Sequence, residues 1–261
     1  MIAWIDGRFV TDALPLALDG PAFRCGMGVF ETILLHGGRP RRLERHLERL
    51  AESLKTLGLA CALPGAAEAA RIVLETAGAN GLAGETARVN LFCFQDSPGG
   101  QASLCVLAAP YAIDPEAART LAVYPQAHVS HLCRHKTMAN LHQRLAWEFA
   151  RKAGADDAVL TDFQGNVLEA ACAALVFSDG KGFYEPDTPH RLPSLTLEAA
   201  RPRLALEAIP VSLADLPEFR HAYWLNSLGG IQPVLRIDTV PFEPDWTTCK
   251  PLLRALLGLD E

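Results

Sequence analysis

One stretch, residues 134–177, constrains this chain more than any other: RHKTMANLHQRLAWEFARKAGADDAVLTDFQGNVLEAACAALVF. Its lysine, Lys136, follows a β-rich run. The spacing of Leu141, Leu145, Phe149 and Ala150 predicts an amphipathic helix over 141–153 with those four residues on one face, and Gly154 stops it. Residues 158–161 read as a strand, Phe163-Gln164-Gly165-Asn166 as a hairpin turn, and 167–177 as a broken second strand that carries Glu169. Such an order lets Lys136 and Glu169 reach one cavity from separate elements.

The rest of the chain alternates strands and helices without a regular βαβ rhythm. Residues 2–10 predict a hairpin turning at Asp6-Gly7, and 14–18 a further short strand. Gly26 and Gly28 flank Met27 and permit a tight backbone before a strand over 29–35. After a turn at Gly37-Gly38 come helices over 43–57 and 66–77, then paired strands over 87–94 and 103–108. The two prolines of APYAIDPE, 109–116, mark a linker. Beyond it the pattern predicts strands over 120–124, 222–226 and 231–237, a turn and helix over 193–203, and a terminal helix over 251–257. Mixed order of this kind predicts an α+β fold in two domains, 1–109 and 119–261, joined by a linker over 110–118.

Length and composition limit the classes. The chain has 261 residues, nearly half hydrophobic (49%), enough for a substantial core in two modest domains. A formal charge of −6 and the lack of a basic cluster argue against nucleic acid as a partner. Seven cysteines, odd in number and without a CxxC pair, argue against a disulfide framework and fit a reducing cytoplasm. The first ten residues lack the pattern of a secretory signal, and no apolar run is long enough to span a membrane. His131, His135 and His142 lie near Lys136, but their spacing and the absence of a carboxylate among them do not make a metal site.

An amine nucleophile and a buried carboxylate suit pyridoxal phosphate. That cofactor needs an amine for its aldehyde and an acidic partner that keeps its ring nitrogen protonated. An arbitrary lysine is usually a surface cation, so the surrounding pattern has to decide.

That pattern resembles the fold-type IV (class IV) pyridoxal-phosphate enzymes, a family of branched-chain and D-amino acid aminotransferases and 4-amino-4-deoxychorismate lyases. GMGVFET at 26–32 resembles GDGVFET, and HLERL at 46–50 resembles HxxRL. The run from Lys136 through Glu169 resembles K…N…GADDALLxDxxGxVxE, and NSLGGIQPV at 226–234 is similar to the NSLxGIxPV segment seen especially in the lyases. The resemblance implies a smaller N-terminal domain and a larger C-terminal domain with a barrel-like sheet. It also implies a homodimer with its active site at the domain interface and near the partner chain. Residue by residue, Lys136 matches the Schiff-base lysine that also moves the substrate proton, and Glu169 the carboxylate facing the pyridine nitrogen. Arg49 matches the arginine on the phosphate, a task suited to a bidentate guanidinium. Leu195 and Thr196 of LPSLTLEAAR match the phosphate cradle, and Ser227 a further phosphate contact. Thr32 matches a position near the active-site face. His46 reads as packed structural support.

The chain departs from the family at Gly20-Pro21-Ala22 (for DRG), Cys25, Met27, Leu141, Ala174, Ser194 and Leu197. These changes displace the usual substrate-carboxylate arginine and leave Arg24, Arg88 and Arg134 as candidates for it, with His135 as a further substrate contact. The segment 226–234 and the short chain favour a 4-amino-4-deoxychorismate lyase that yields 4-aminobenzoate and pyruvate. The alternative is an aminotransferase for branched-chain or D-amino acids. A non-catalytic cofactor-binding relative is a third reading.

Overall fold

The computed structural model describes residues 1–14 and 16–260; Pro15 and Glu261 lie outside it. The chain forms two units. The first comprises Met1–Ile113 with the short segment His135–Ala139, and the second Asp114–Arg134 with Asn140–Asp260. Two expectations differ from this division. The strand that ends the first long segment continues to Pro110, where Ala87 pairs with it, so the first residue of the linker expected over 110–118 still belongs to the strand. Lys136, expected in the second domain, belongs with the first unit, because its backbone pairs with a strand there.

The first unit is a six-stranded antiparallel sheet built from β1 (Ile2–Ile5), β2 (Arg8–Thr11), β3 (Gly28–His36), β4 (Arg39–Pro40), β5 (Ala87–Phe94) and β6 (Ser103–Pro110). The order across the sheet is β2-β1-β6-β5-β3-β4. A short helix, α1 (Pro21–Cys25), precedes β3, and α2 (Leu43–Thr56) and α3 (Ala66–Ala79) follow β4. Val29, Ile33 and Leu35 of β3 and Val89, Leu91 and Cys93 of β5 pack on Leu43, Leu47, Leu50 and Leu54 of α2 and Ile72, Val73 and Ala77 of α3. Strand alternation sets this division: every second residue faces the helices. Residues 14 and 16–18 form no strand, and Pro15 of that expectation is outside the described residues.

The second unit is a nine-stranded mixed sheet. Its strands are β7 (Arg119–Val123), β8 (Asp157–Thr161), β9 (Val167–Ala170), β10 (Ala174–Ser178), β11 (Phe183–Pro186), β12 (Leu206–Ile209), β13 (His221–Asn226), β14 (Gly230–Ile237) and β15 (Val240–Pro241). The order is β12-β11-β10-β13-β14-β7-β8-β9, with β15 on β14. An isolated bridge, Ala170 to Ala173, brings the β9 end of the path back to β10, and the sheet curls into a half-barrel. Leu121, Val159, Leu175, Phe177, Trp224 and Val234 lie in its core. The helices are α4 (Leu141–Lys152), α5 (Leu195–Ala200) and α6 (Trp246–Leu257). Of the four residues expected on one face of α4, only Ala150 is buried. Leu141, Leu145 and Phe149 are 66%, 46% and 37% exposed, and the buried residues are Ala146 and Ala150. Alanines on the helix meet Ala122, Ala158 and Leu160, and their small size lets the helix approach β7 and β8 closely.

Asp157 ties three parts of this unit together. Its Oδ2 accepts from Trp224 Nε1 at 2.8 Å and from Cys172 N at 3.2 Å, and its Oδ1 from Ala158 N at 2.8 Å. Burial pushes its carboxyl up to about 6, against the opposing effect of these donors. Trp224→Phe keeps an aromatic side chain, though a smaller one, and removes one donor from a buried acceptor. We expect a loss of about 1–3 kcal/mol in urea unfolding, with no change in slope.

Candidate active site

Lys136 is placed by its backbone. Phe30 N donates to Lys136 O at 2.8 Å, and Met138 N to Gly28 O at 2.9 Å, so residues 136–138 run antiparallel along the start of β3. The two glycines make room for this strap. A Cβ on Gly28 would lie 2.6 Å from Met138 Sδ and 2.6 Å from the Cys93 carbonyl oxygen. Gly26 has φ +65°, and a Cβ there would lie 2.9 Å from Ala139 N. The Lys136 ammonium sits 4.5 Å from the centre of the Phe30 ring, and Phe30 stacks on Phe92 at 5.7 Å. Next to it in sequence, His135 Nδ1 is 3.0 Å from Ser53 Oγ of α2.

Glu31 has the parity of Val29 and Ile33, so it faces the helices, where it is 1% exposed. Arg49 donates to it twice, Nε to Oε1 at 2.7 Å and Nη2 to Oε2 at 2.6 Å, and His46 Nδ1 lies 2.7 Å from Oε2. Burial would raise the carboxyl, but hydrogen bonds from His46 and Arg49 override it and hold the carboxyl at about 2. Burial pushes His46 the other way, below its usual value, despite the carboxylate beside it. Its Nε2 has no hydrogen-bond partner, which suits a neutral ring whose Nδ1–H donates to Glu31. Glu31 received no role in the sequence reading; the signal was a charged residue on the apolar parity of a strand. Thr32, on the opposite face from Glu31, accepts from Asn90 Nδ2 at 2.8 Å.

In the second unit, Glu169 on β9 is 9% exposed, and its Oε2 accepts from Leu192 N at 3.2 Å. The contact places the carboxylate against the loop that opens α5. Ser194 caps that helix, its Oγ accepting from Leu197 N at 3.2 Å, and Leu195 and Thr196 are buried in the first turn. Ser227 sits half-buried in the turn between β13 and β14. Asn226 builds that turn: its Oδ1 accepts from Leu228 N at 3.1 Å and Gly229 N at 2.8 Å. Its Nδ2 reaches Cys172 O at 3.1 Å, three residues beyond Glu169. Of the arginines offered for substrate, Arg24 is exposed on α1 and Arg88 on β5, while Arg134 lines a cleft in the second unit. His142 stacks on His128, with ring centres 4.3 Å apart. Among the described residues no group of three or more His, Cys, Asp and Glu side chains could hold a metal ion. Among them, too, no helix is long and apolar enough to cross a membrane.

The α+β architecture with its curled half-barrel is the fold-type IV aminotransferase fold. The branched-chain aminotransferase of Thermoproteus uzoniensis with norvaline aligns at a TM-score of 0.87 and 24% identity, over 100% of this chain and 96% of that one. A T.th. branched-chain amino acid aminotransferase, complexed with N-(5'-phosphopyridoxyl)-L-glutamate, aligns at 0.85 and 20%, over 98% and 94%. A fold IV-transaminase from Curtobacterium pusillum aligns at 0.84 and 22%, over 97% and 92%. A comparison with curated proteins gave no match. The family model for amino-transferase class IV matches residues 28–237, from the first residue of β3 to the last of β14, and the chain belongs to that family. Its cofactor is pyridoxal phosphate.

Two outcomes follow from the first unit. Gly28→Ala should cost about 1–3 kcal/mol in urea unfolding, since the Met138 sulfur can move but the β5 carbonyl cannot. The Glu31 carboxyl is lower in the folded chain than its ordinary 4.5, so its stabilisation is present above pH 4.5 and fades as pH falls towards about 2. At about 1.4 kcal/mol per pH unit this amounts to about 3 kcal/mol. His46, also lowered, adds loss of the same sign below pH 6.5. Glu31→Gln should be less stable at pH 7 and flatter between pH 5 and 3. An equally steep acid loss in the variant would rule out this assignment.

Proposed function

We propose that this chain is an aminotransferase acting on a small amino acid, branched-chain or D-configured. The observation that carries the reading is the likeness, over nearly the whole length of each chain, to structures described as transaminases, two of them branched-chain enzymes. The residues present fit the cofactor. Glu169 is a nearly buried carboxylate beside a loop with a buried hydroxyl, Thr196, and Lys136 presents an amine against an aromatic ring.

When bound, pyridoxal phosphate supplies an aldehyde and a ring that withdraws electrons from the substrate's α-carbon. In this proposal Lys136 Nζ takes the proton from that carbon and delivers it to the cofactor side. Glu169 holds the proton on the ring nitrogen. Arg49, its guanidinium plane fixed by Glu31, meets the phosphate together with Leu195, Thr196 and Ser227. Thr32 lines the reacting face. A homodimer is part of the same reading.

The lyase acting on 4-amino-4-deoxychorismate is the second reading, favoured by the NSLGGIQPV segment, whose turn Asn226 builds. The two reactions separate in one assay. With an amino acid alone, the yellow protein should convert its cofactor to the amine form. With 4-amino-4-deoxychorismate and no keto acid, it should release no pyruvate. The reverse pair of results would establish the lyase. A yellow protein that carries out neither reaction would support the non-catalytic cofactor-binding relative. Lys136→Ala should lose the absorption band and at least about 10²–10⁴-fold of turnover.

A further inference from the structure

A cleft of ≈ 280 Å³ lies within the second unit, and its charged lining is Arg134, Arg191, Arg201, Glu185 and Glu198. Glu185, on β11, is 1% exposed, and its two oxygens are shared between two cations. Arg191 Nη2 donates to Oε2 at 2.7 Å, and Arg201 Nη2 to Oε1. A buried carboxylate needs one cation to balance it; this one has two. Each guanidinium gives Glu185 one nitrogen, and the side chains remain 17% and 48% exposed, so further N–H donors stay in reach of the cleft. Arg134 is exposed and, among the described residues, has no carboxylate within ion-pair distance. Three guanidiniums against two carboxylates leave an excess positive charge in a concave site.

The cleft adjoins the loop that touches Glu169. Leu192, whose N–H is donated to Glu169, stands between Arg191 and Pro193, and both neighbours line the cleft. The volume equals that of about nine water molecules at about 30 Å³ each. That accommodates an anionic head and the body of a small molecule.

We propose that this cleft is a binding site for the carboxylate or phosphate group of a small ligand, held by Arg134, Arg191 and Arg201. Glu185 acts as the positioning residue: it presents two planar, multidentate forks in fixed orientation, the geometry that oxyanions match best. The assignment goes beyond the aminotransferase reading, since none of these residues is asked to touch the cofactor.

Calorimetric titration of the cofactor-loaded protein tests it, with inorganic phosphate and with succinate at an ionic strength fixed by chloride. Saturable binding of one anion per chain is expected. A preference for phosphate marks a phosphorylated ligand, and a preference for succinate a carboxylic acid. Arg134→Gln should weaken binding at least about tenfold without altering the unfolding temperature of the anion-free protein, because that side chain makes no ion pair among the described residues. Arg191→Gln should weaken it further but leaves Glu185 with one partner, so its fold is checked by circular dichroism. No heat beyond that of chloride, or binding undiminished in Arg134→Gln, would overturn the proposal. The titration reads binding directly, so a protein that turned over no amino acid, and so lost the aminotransferase reading, would still decide it.

Discussion

The backbone hydrogen bonds between residues 136–138 and the start of β3 are the constraint on which the chemistry of this chain depends. They fix Lys136 through its main chain, so the position of its Cα is independent of what the side chain does. The requirement falls instead on the facing strand, where glycine at 26 and 28 leaves the space the strap occupies. A glycine pair and a lysine more than a hundred residues later thus form one local structure. The aromatic face of Phe30, on the same short stretch of β3, then receives the ammonium.

Buried carboxylates show how differently this fold compensates desolvation. Glu31, Asp157 and Glu185 are each at most 2% exposed. Glu31 is met by a bidentate guanidinium and an imidazole, and hydrogen bonding outweighs burial. Asp157 is met by an indole and two backbone N–H groups; burial wins, and the carboxyl rises. Charged donors strengthen a hydrogen bond roughly twofold over neutral ones, which accounts for the opposite directions. Glu185 is the third case, a carboxylate with more cationic partners than it needs. There the surplus faces a cleft.

Membership of the class IV family sets the cofactor, but one fold can host several reactions. The distinction lies in what the substrate carries and where its charged groups are held. In this chain several motif positions have changed, Met27, Ser194 and Leu197 among them, and the arginines that could meet an anion are spread over both units.

Much of the fold was legible where the hydrophobic period was strong and unbroken. The strands at 28–36 and 87–94 and the helices at 43–56 and 66–79 lie within a residue or two of where their patterns predict them. Weak patterns failed: β12, LEAI, is exposed at its centre and left no alternation to read. Pro251 resembled a helix start, yet α6 begins at Trp246, because Asp245 caps it through Thr248 N at 3.0 Å. On α4 the large members of the stripe, Leu141, Leu145 and Phe149, face outward while Ala150 is buried, since periodicity finds a face without saying which neighbour covers it. By itself, then, the sequence determined the elements, the family and the residue types available for chemistry. Only the tertiary structure decided that Lys136 joins the first unit, that Glu31 takes two of the Arg49 nitrogens, and that three arginines share one cleft. Each of those depends on pairing between residues far apart in the chain, and neither local propensity nor spacing carries that information.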